Sequence, residues 1–97
     1  MVELINKETA TLTEVGQKIY NLDFGIRSRA TVISESISIK GRIKRTEVTC
    51  GCTTLTVNGN IVTIDYNSNR VGVINQVGTL HMEDGSKIKI NVLGTVI

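Results

Sequence analysis

From Thr31 onward the chain alternates. Ile33, Ile37, Ile39 and Ile43 stand at odd positions, and Ser34, Ser36, Ser38, Lys40, Arg42 and Lys44 at even ones. A period of two puts one set on a buried face and the other in water, the pattern of a half-buried β-strand and not of a helix. Glu35 is the one polar residue in the buried phase, and Gly41 is the expected break between two strands. Composition agrees with this reading. With two Tyr, one Phe and no Trp, the core must be built from Ile and Val, whose branched side chains favour strands. The absence of proline rules out Pro-rich linkers.

The same alternation recurs along the chain. Residues 1–12 are ambiguous between a short strand at Val2 to Ile5, leading into a polar connection through Asn6-Lys7-Glu8-Thr9, and an N-terminal arm. Gln17 to Leu22 reads as a strand ending at Asp23-Phe24-Gly25, with Arg27-Ser28-Arg29 as a polar turn. Thr53 to Val57 and Asn60 to Tyr66 flank Asn58-Gly59, a dipeptide suited to a turn in which both central residues need positive φ. That pairing predicts Leu55, Val57, Val62, Ile64 and Tyr66 facing inward. After the polar loop Asn67-Ser68-Asn69-Arg70 comes a second hairpin, Val73 to Met82 and Lys87 to Val92, turning at Glu83-Asp84-Gly85-Ser86. Gly94 suggests a bulge or bend in the last strand. About seven to eight short strands with turn chemistry between them predict an all-β chain, an antiparallel β-sandwich, with a small barrel as the alternative. Ninety-seven residues make a single domain (1–97) able to bury about two-thirds of its unfolded surface.

The chain's chemical punctuation is Thr49-Cys50-Gly51-Cys52-Thr53. Cys50 and Cys52 lie on one side of an extended segment, and Gly51 permits a bend or bulge. The pair can be read as a metal half-site, a redox pair, a disulfide or a packed corner. Structural zinc wants four ligands, and this chain has two Cys and His81 alone. A catalytic dithiol uses a two-residue gap at a helix N-terminus. The reading carried forward is a structural corner, Cys50 to Thr53, with the thiols filling a tight β corner. His81, out of phase with Leu80 and Met82, is expected at the surface, and Glu83-Asp84 belong to a hairpin tip. No phosphate loop, His-Glu-x-x-His or Ca²⁺ loop occurs, so neither enzyme activity, metal nor cofactor is expected.

A net charge of +2 is too small to argue for nucleic acid. Lys40, Arg42 and Lys44 read as one strand face, with Arg27, Arg29 and Arg45 nearby in sequence. Without interleaved aromatics these are thin as a nucleic-acid patch and fit edge protection or docking on an acidic protein surface. No window approaches a membrane span and no signal peptide is visible, so neither membrane nor export is expected.

The order Leu22-Asp23-Phe24-Gly25, the Ile-rich strand, Thr49-Cys50-Gly51-Cys52-Thr53, Ile64-Asp65-Tyr66, Gly72 and Gly94-Thr95-Val96 resembles a bacterial immunoglobulin-like family with a Cys-Gly-Cys-Thr signature, related to the ASH and PapD-like sandwiches. The resemblance covers roughly Thr13 to Ile97; members commonly carry Pro-Gly where this chain has Asn58-Gly59. It implies a seven-stranded sandwich and a protein-binding or scaffold role. Small size and a single sandwich lead to the expectation of a structural accessory protein. It would be present in many copies on a larger assembly, as an auxiliary protein bound to the major capsid protein on a phage virion. The alternatives are a protein-binding adaptor in the bacterial cytoplasm and, third, a thiol redox or metal site at Cys50 and Cys52.

Overall fold

The computed structural model describes residues 2–4 (backbone only), 10–29 and 32–97. The expected polar connection at Asn6 to Thr9 lies outside the described residues. Nine strands occur among the described residues: β1 (Val2–Leu4), β2 (Thr11–Gly16), β3 (Ile19–Arg27), β4 (Ile33–Ile39), β5 (Ile43–Val48), β6 (Thr53–Asn58), β7 (Ile61–Tyr66), β8 (Gly72–Met82) and β9 (Lys87–Val96). They form a four-stranded sheet, β1-β4-β7-β6, and a five-stranded sheet, β2-β3-β9-β8-β5. This is an all-β sandwich. Every pairing is antiparallel except β3 with β9, which is parallel.

The connectivity defines the class. Taking β1, β4, β5, β6, β7, β8 and β9 as seven successive strands, one sheet holds the first, second, fifth and fourth, and the other holds the seventh, sixth and third. That is the immunoglobulin constant-type arrangement. The first strand's role is divided: β1 lines up with β4, β3 lines up with β9 in the opposite sheet, and β2 adds an outer edge beyond β3.

Inward-pointing residues of both layers make the core. Ile33, Ile37 and Ile39 of β4 and Val62 and Ile64 of β7 meet Leu22 and Phe24 of β3, Ile74, Leu80 and Met82 of β8, and Ile88, Ile90, Val92 and Val96 of β9. The alternation in β4, β7 and β9 therefore reads as expected, and Gly41 (φ 113°) sits where the chain leaves one sheet for the other.

Three local expectations are corrected. Gln17 and Lys18 are not strand but the two-residue turn between β2 and β3, with Lys18 at φ 57°. The β6–β7 turn is centred on Gly59-Asn60, one residue later than expected: Asn58 pairs with Ile61, and only Gly59 has positive φ. Asn60 is held by donating from Nδ2 to the Ile39 and Gly41 carbonyls, both at 2.9 Å. Val57 stands on the inner face opposite Val62, as expected, but remains 39% exposed because β6 is an edge and the core ends at Leu55. The bulge near Gly94 belongs to the partner strand: Phe24 and Gly25 of β3 stand against Gly94 alone. A Cβ at Gly94 would lie 3.1 Å from the Gly25 carbonyl oxygen and 3.2 Å from Phe24 Cβ, and its φ is 153°.

Candidate functional site

The Cys-Gly-Cys corner is where the chain crosses from β5 in one sheet to β6 in the other. Cys50 and Cys52 are joined by a disulfide, with Cα atoms 5.3 Å apart. This corrects the expectation of two free packed thiols: the sulfurs are half-buried and bonded to each other. An added Cβ at Gly51 would meet nothing within 4 Å. Both ends of the corner are fastened. Thr49 N–H donates to the Val77 carbonyl (3.2 Å) and its hydroxyl to Gln76 Oε1 (3.1 Å), tying it to β8. The Cys52 carbonyl accepts from Asn67 N–H (2.9 Å), tying it to the end of β7, and Thr53 is buried beside it. The corner thus joins the two layers.

The five cations proposed as a docking surface are not brought together. Arg27 is half-buried and engaged inside: Nη2 reaches Glu35 Oε1 at 2.9 Å, Nε donates to the Phe24 carbonyl at 3.0 Å, and the guanidinium lies 5.4 Å from the Phe24 ring centroid. Glu35, whose side chain is 2% exposed, is the polar residue in the buried phase of β4, and the pair bridges the two sheets. Its Oε2 has no hydrogen-bond partner among the described residues. Arg29 is exposed at the same end, where its N–H donates to the Ile97 carbonyl. Lys40 and Arg42 are at the opposite end, in the crossover after β4, and do not belong to a strand. There they line a cleft of about 400 Å³ with Lys18, Glu83 and Asp84. Lys44 is exposed on β5 at a register shift. Alternation was misread as one continuous face because the chain changes sheets at Gly41.

Two carboxylates are held below their usual range. His81 Nε2 donates to Glu47 Oε1 at 2.6 Å, and this bond, followed by the imidazole's charge, lowers Glu47. Asp84 is lowered first by its hydrogen bond from the Ser86 side chain. Tyr20 is raised, by desolvation first and then by Glu14. His81 is more covered than expected, 14% exposed at its side chain, because Glu47 of β5 lies over it. Among the described residues no group of three or more His, Cys, Asp or Glu side chains could hold a metal ion.

The surface feature missed in the sequence lies at the bulged end of the five-stranded sheet. Ile26, Thr95 and Val73 stand in one cross-strand row over β3, β9 and β8, and Val71 and Ile97 are at the same end. Val73 (77% exposed), Ile26 (72%), Val71 (66%) and Ile97 (62%) are the four most exposed large apolar side chains described. The β3 bulge opposite Gly94 opens a shallow groove beside them. A signal was present: in β8 the buried phase is even (Ile74, Leu80, Met82), so Val71 and Val73 are out of phase.

In comparisons with known proteins, no family model matches this chain, and no curated protein matches it.

Proposed function

We propose that this chain is a non-enzymatic docking module, an accessory protein that decorates or cements a larger assembly, specifically the capsid of a phage through its major capsid protein. The observation that carries the reading is the apolar end formed by Ile26, Val71, Val73 and Ile97. Contiguous apolar surface of this kind marks a protein contact more often than free solvent-facing surface. The disulfide supports a place on a virion surface over the reducing cytosol. The capsid itself is an analogy from fold, as is kinship with the Cys-Gly-Cys-Thr immunoglobulin-like family.

The test is co-sedimentation of the purified chain with capsid shells, using the wild type and an Ile26→Lys/Val73→Lys variant. The wild type should travel with the shells in many copies, and the variant should stay in the supernatant while melting at an unchanged temperature. Wild type that remains free, or a variant that sediments equally well, would sink the reading. A one-to-one complex with a single soluble protein would favour the cytoplasmic adaptor instead. The disulfide also favours a second reading, a thiol redox site at Cys50 and Cys52; it requires that Cys50→Ser abolish an exchange activity toward a dithiol substrate.

A further inference from the structure

The four sheet edges of this sandwich are not alike. β1 spans three of the described residues. β2 carries Glu14 and a register shift between Glu14 and Gly16. β5 carries Lys44, Arg45 and Glu47 and a shift between Ile43 and Arg45. Shortness, charge and bulges are the devices that keep an edge from pairing with another chain. β6, Thr53-Thr54-Leu55-Thr56-Val57-Asn58, has none of them: no charge and no shift against β7.

We propose that β6 pairs antiparallel with β6 of a second copy of this chain, across a two-fold axis at Thr56. The inference goes beyond the docking reading and does not depend on it. A two-residue turn closes on a hydrogen-bonded pair, here Asn58 with Ile61. The backbone groups of Asn58, Thr56 and Thr54 therefore face β7, and those of Leu55 and Val57 face the open edge. Thr53 also faces outward, but its N–H is already engaged by the Cys50 carbonyl at 3.2 Å. This selects the register. Centring on Leu55 would call on Thr53, whereas centring on Thr56 uses Leu55 and Val57 alone. Each Leu55 then exchanges both backbone bonds with Val57 of the other copy, and Thr54 stands opposite Asn58.

The side chains suit a second copy as the occupant. With no charge on the strand, a two-fold places no like charges opposite one another, and Thr56 meets its own equivalent as a hydroxyl pair. Leu55 is anchored inward beside Gly78, whose added Cβ would lie 3.0 Å from Leu55 Cδ1. Val57 is left 39% exposed, and Leu55 of the other copy would cover it. Two four-stranded sheets then continue into one.

Sedimentation velocity of the full chain over a wide concentration range, with amide hydrogen exchange at its two extremes, tests the proposal. We expect a concentration-dependent dimer in which the Leu55 and Val57 amides exchange roughly tenfold more slowly at high concentration, while those of Thr54 and Thr56 do not change. Val57→Lys, a substitution that native edges tolerate, should weaken the dimer by about tenfold or more with an unchanged monomer melting temperature. If the variant does not fold, the wild-type exchange pattern still decides. A monomer at every concentration would overturn the proposal. So would a dimer that leaves the Leu55 and Val57 amides unprotected, or one that Val57→Lys does not weaken.

Discussion

The two sheets share a core yet present opposite exteriors. On the outside of the four-stranded sheet the register lines up Ser34, Asp65 and Thr54, then Ser36, Thr63 and Thr56, then Ser38, Ile61 and Asn58. Across β4, β7 and β6 these rows hold one carboxylate and no cation; the Ser34 hydroxyl bonds Asp65, and Ser36 and Thr63 hydroxyls meet at 3.0 Å. On the outside of the five-stranded sheet, Arg45, Glu47, His81, Lys87 and Lys89 occupy one part, and the apolar row of Ile26 and Val73 lies at the other end. A surface of short hydroxyl side chains offers a partner few anchors on its face, which is why the contact proposed for that layer lies at its edge. The charged and apolar layer can use its face. Identical strand chemistry inside thus says nothing about which layer meets other proteins.

That contrast can be tested by loosening one layer at a time. The largest effect should come from the pair that spans both. Arg27→Ala strands Glu35 in the core and should cost about 3 kcal/mol in chemical denaturation, whereas Arg27→Met with Glu35→Leu should be close to neutral. If the single change is silent, the layers are not coupled there. Next, Gly94→Ala forces a Cβ against the Phe24-Gly25 bulge at an unfavourable φ and should cost about 2 kcal/mol, altering only the apolar end; Gly51→Ala, with open space around it, should cost far less. Removing the Cys50–Cys52 bond by a double change to Ser releases a loop with a sequence separation of only two and should lower stability by about 1.5 kcal/mol or less. A greater loss would make the corner a principal tie between the layers.

The smallest effect is pH-dependent and confined to the five-stranded sheet. Glu47 is depressed in the folded state, so its contribution is present above the unfolded Glu pKa and is lost as pH falls through the lower folded value. Melting temperature should therefore decline on acidification through and below the ordinary Glu range. Glu47→Gln should flatten that part of the profile slightly, since the carboxylate is solvent-exposed. An unchanged profile would remove His81–Glu47 from the account.

Where burial alternates, the fold was legible. Ile33 to Ile39, Val62 with Ile64, and Ile88 to Val92 predicted their strands and their inward faces, because a two-sided environment writes itself into a period of two. β2 escaped because only Leu12 of its six residues packs against the core, and its turn puts Lys18, not Gly or Asn, at positive φ. The Asn58-Gly59 signal identified the hairpin but missed its centre by one residue, since Asn60 works as a side-chain donor to the neighbouring crossover. Site reading suffered more. The Arg27–Glu35 pair joins strands in different layers, and no local pattern announces such a contact. Lys40, Arg42 and Lys44 shared a phase in sequence but not a sheet in space. Cys50 and Cys52 left the disulfide open as one of four readings, and spacing alone could not choose it.

The parallel match of β3 with β9, where Tyr20 stands beside Ile90 and Leu22 beside Val92, sets an order of events on the ribosome. Strands β4, β6 and β7 come from one local stretch and can gather as soon as Tyr66 has left the exit tunnel. The opposite layer must wait for its central member, which is the last to be made, and contacts of such long sequence separation form slowly. During that interval the hydroxyl-faced ribbon has its Ile-lined side bare, so the nascent chain exposes most apolar surface between the emergence of β7 and that of β9.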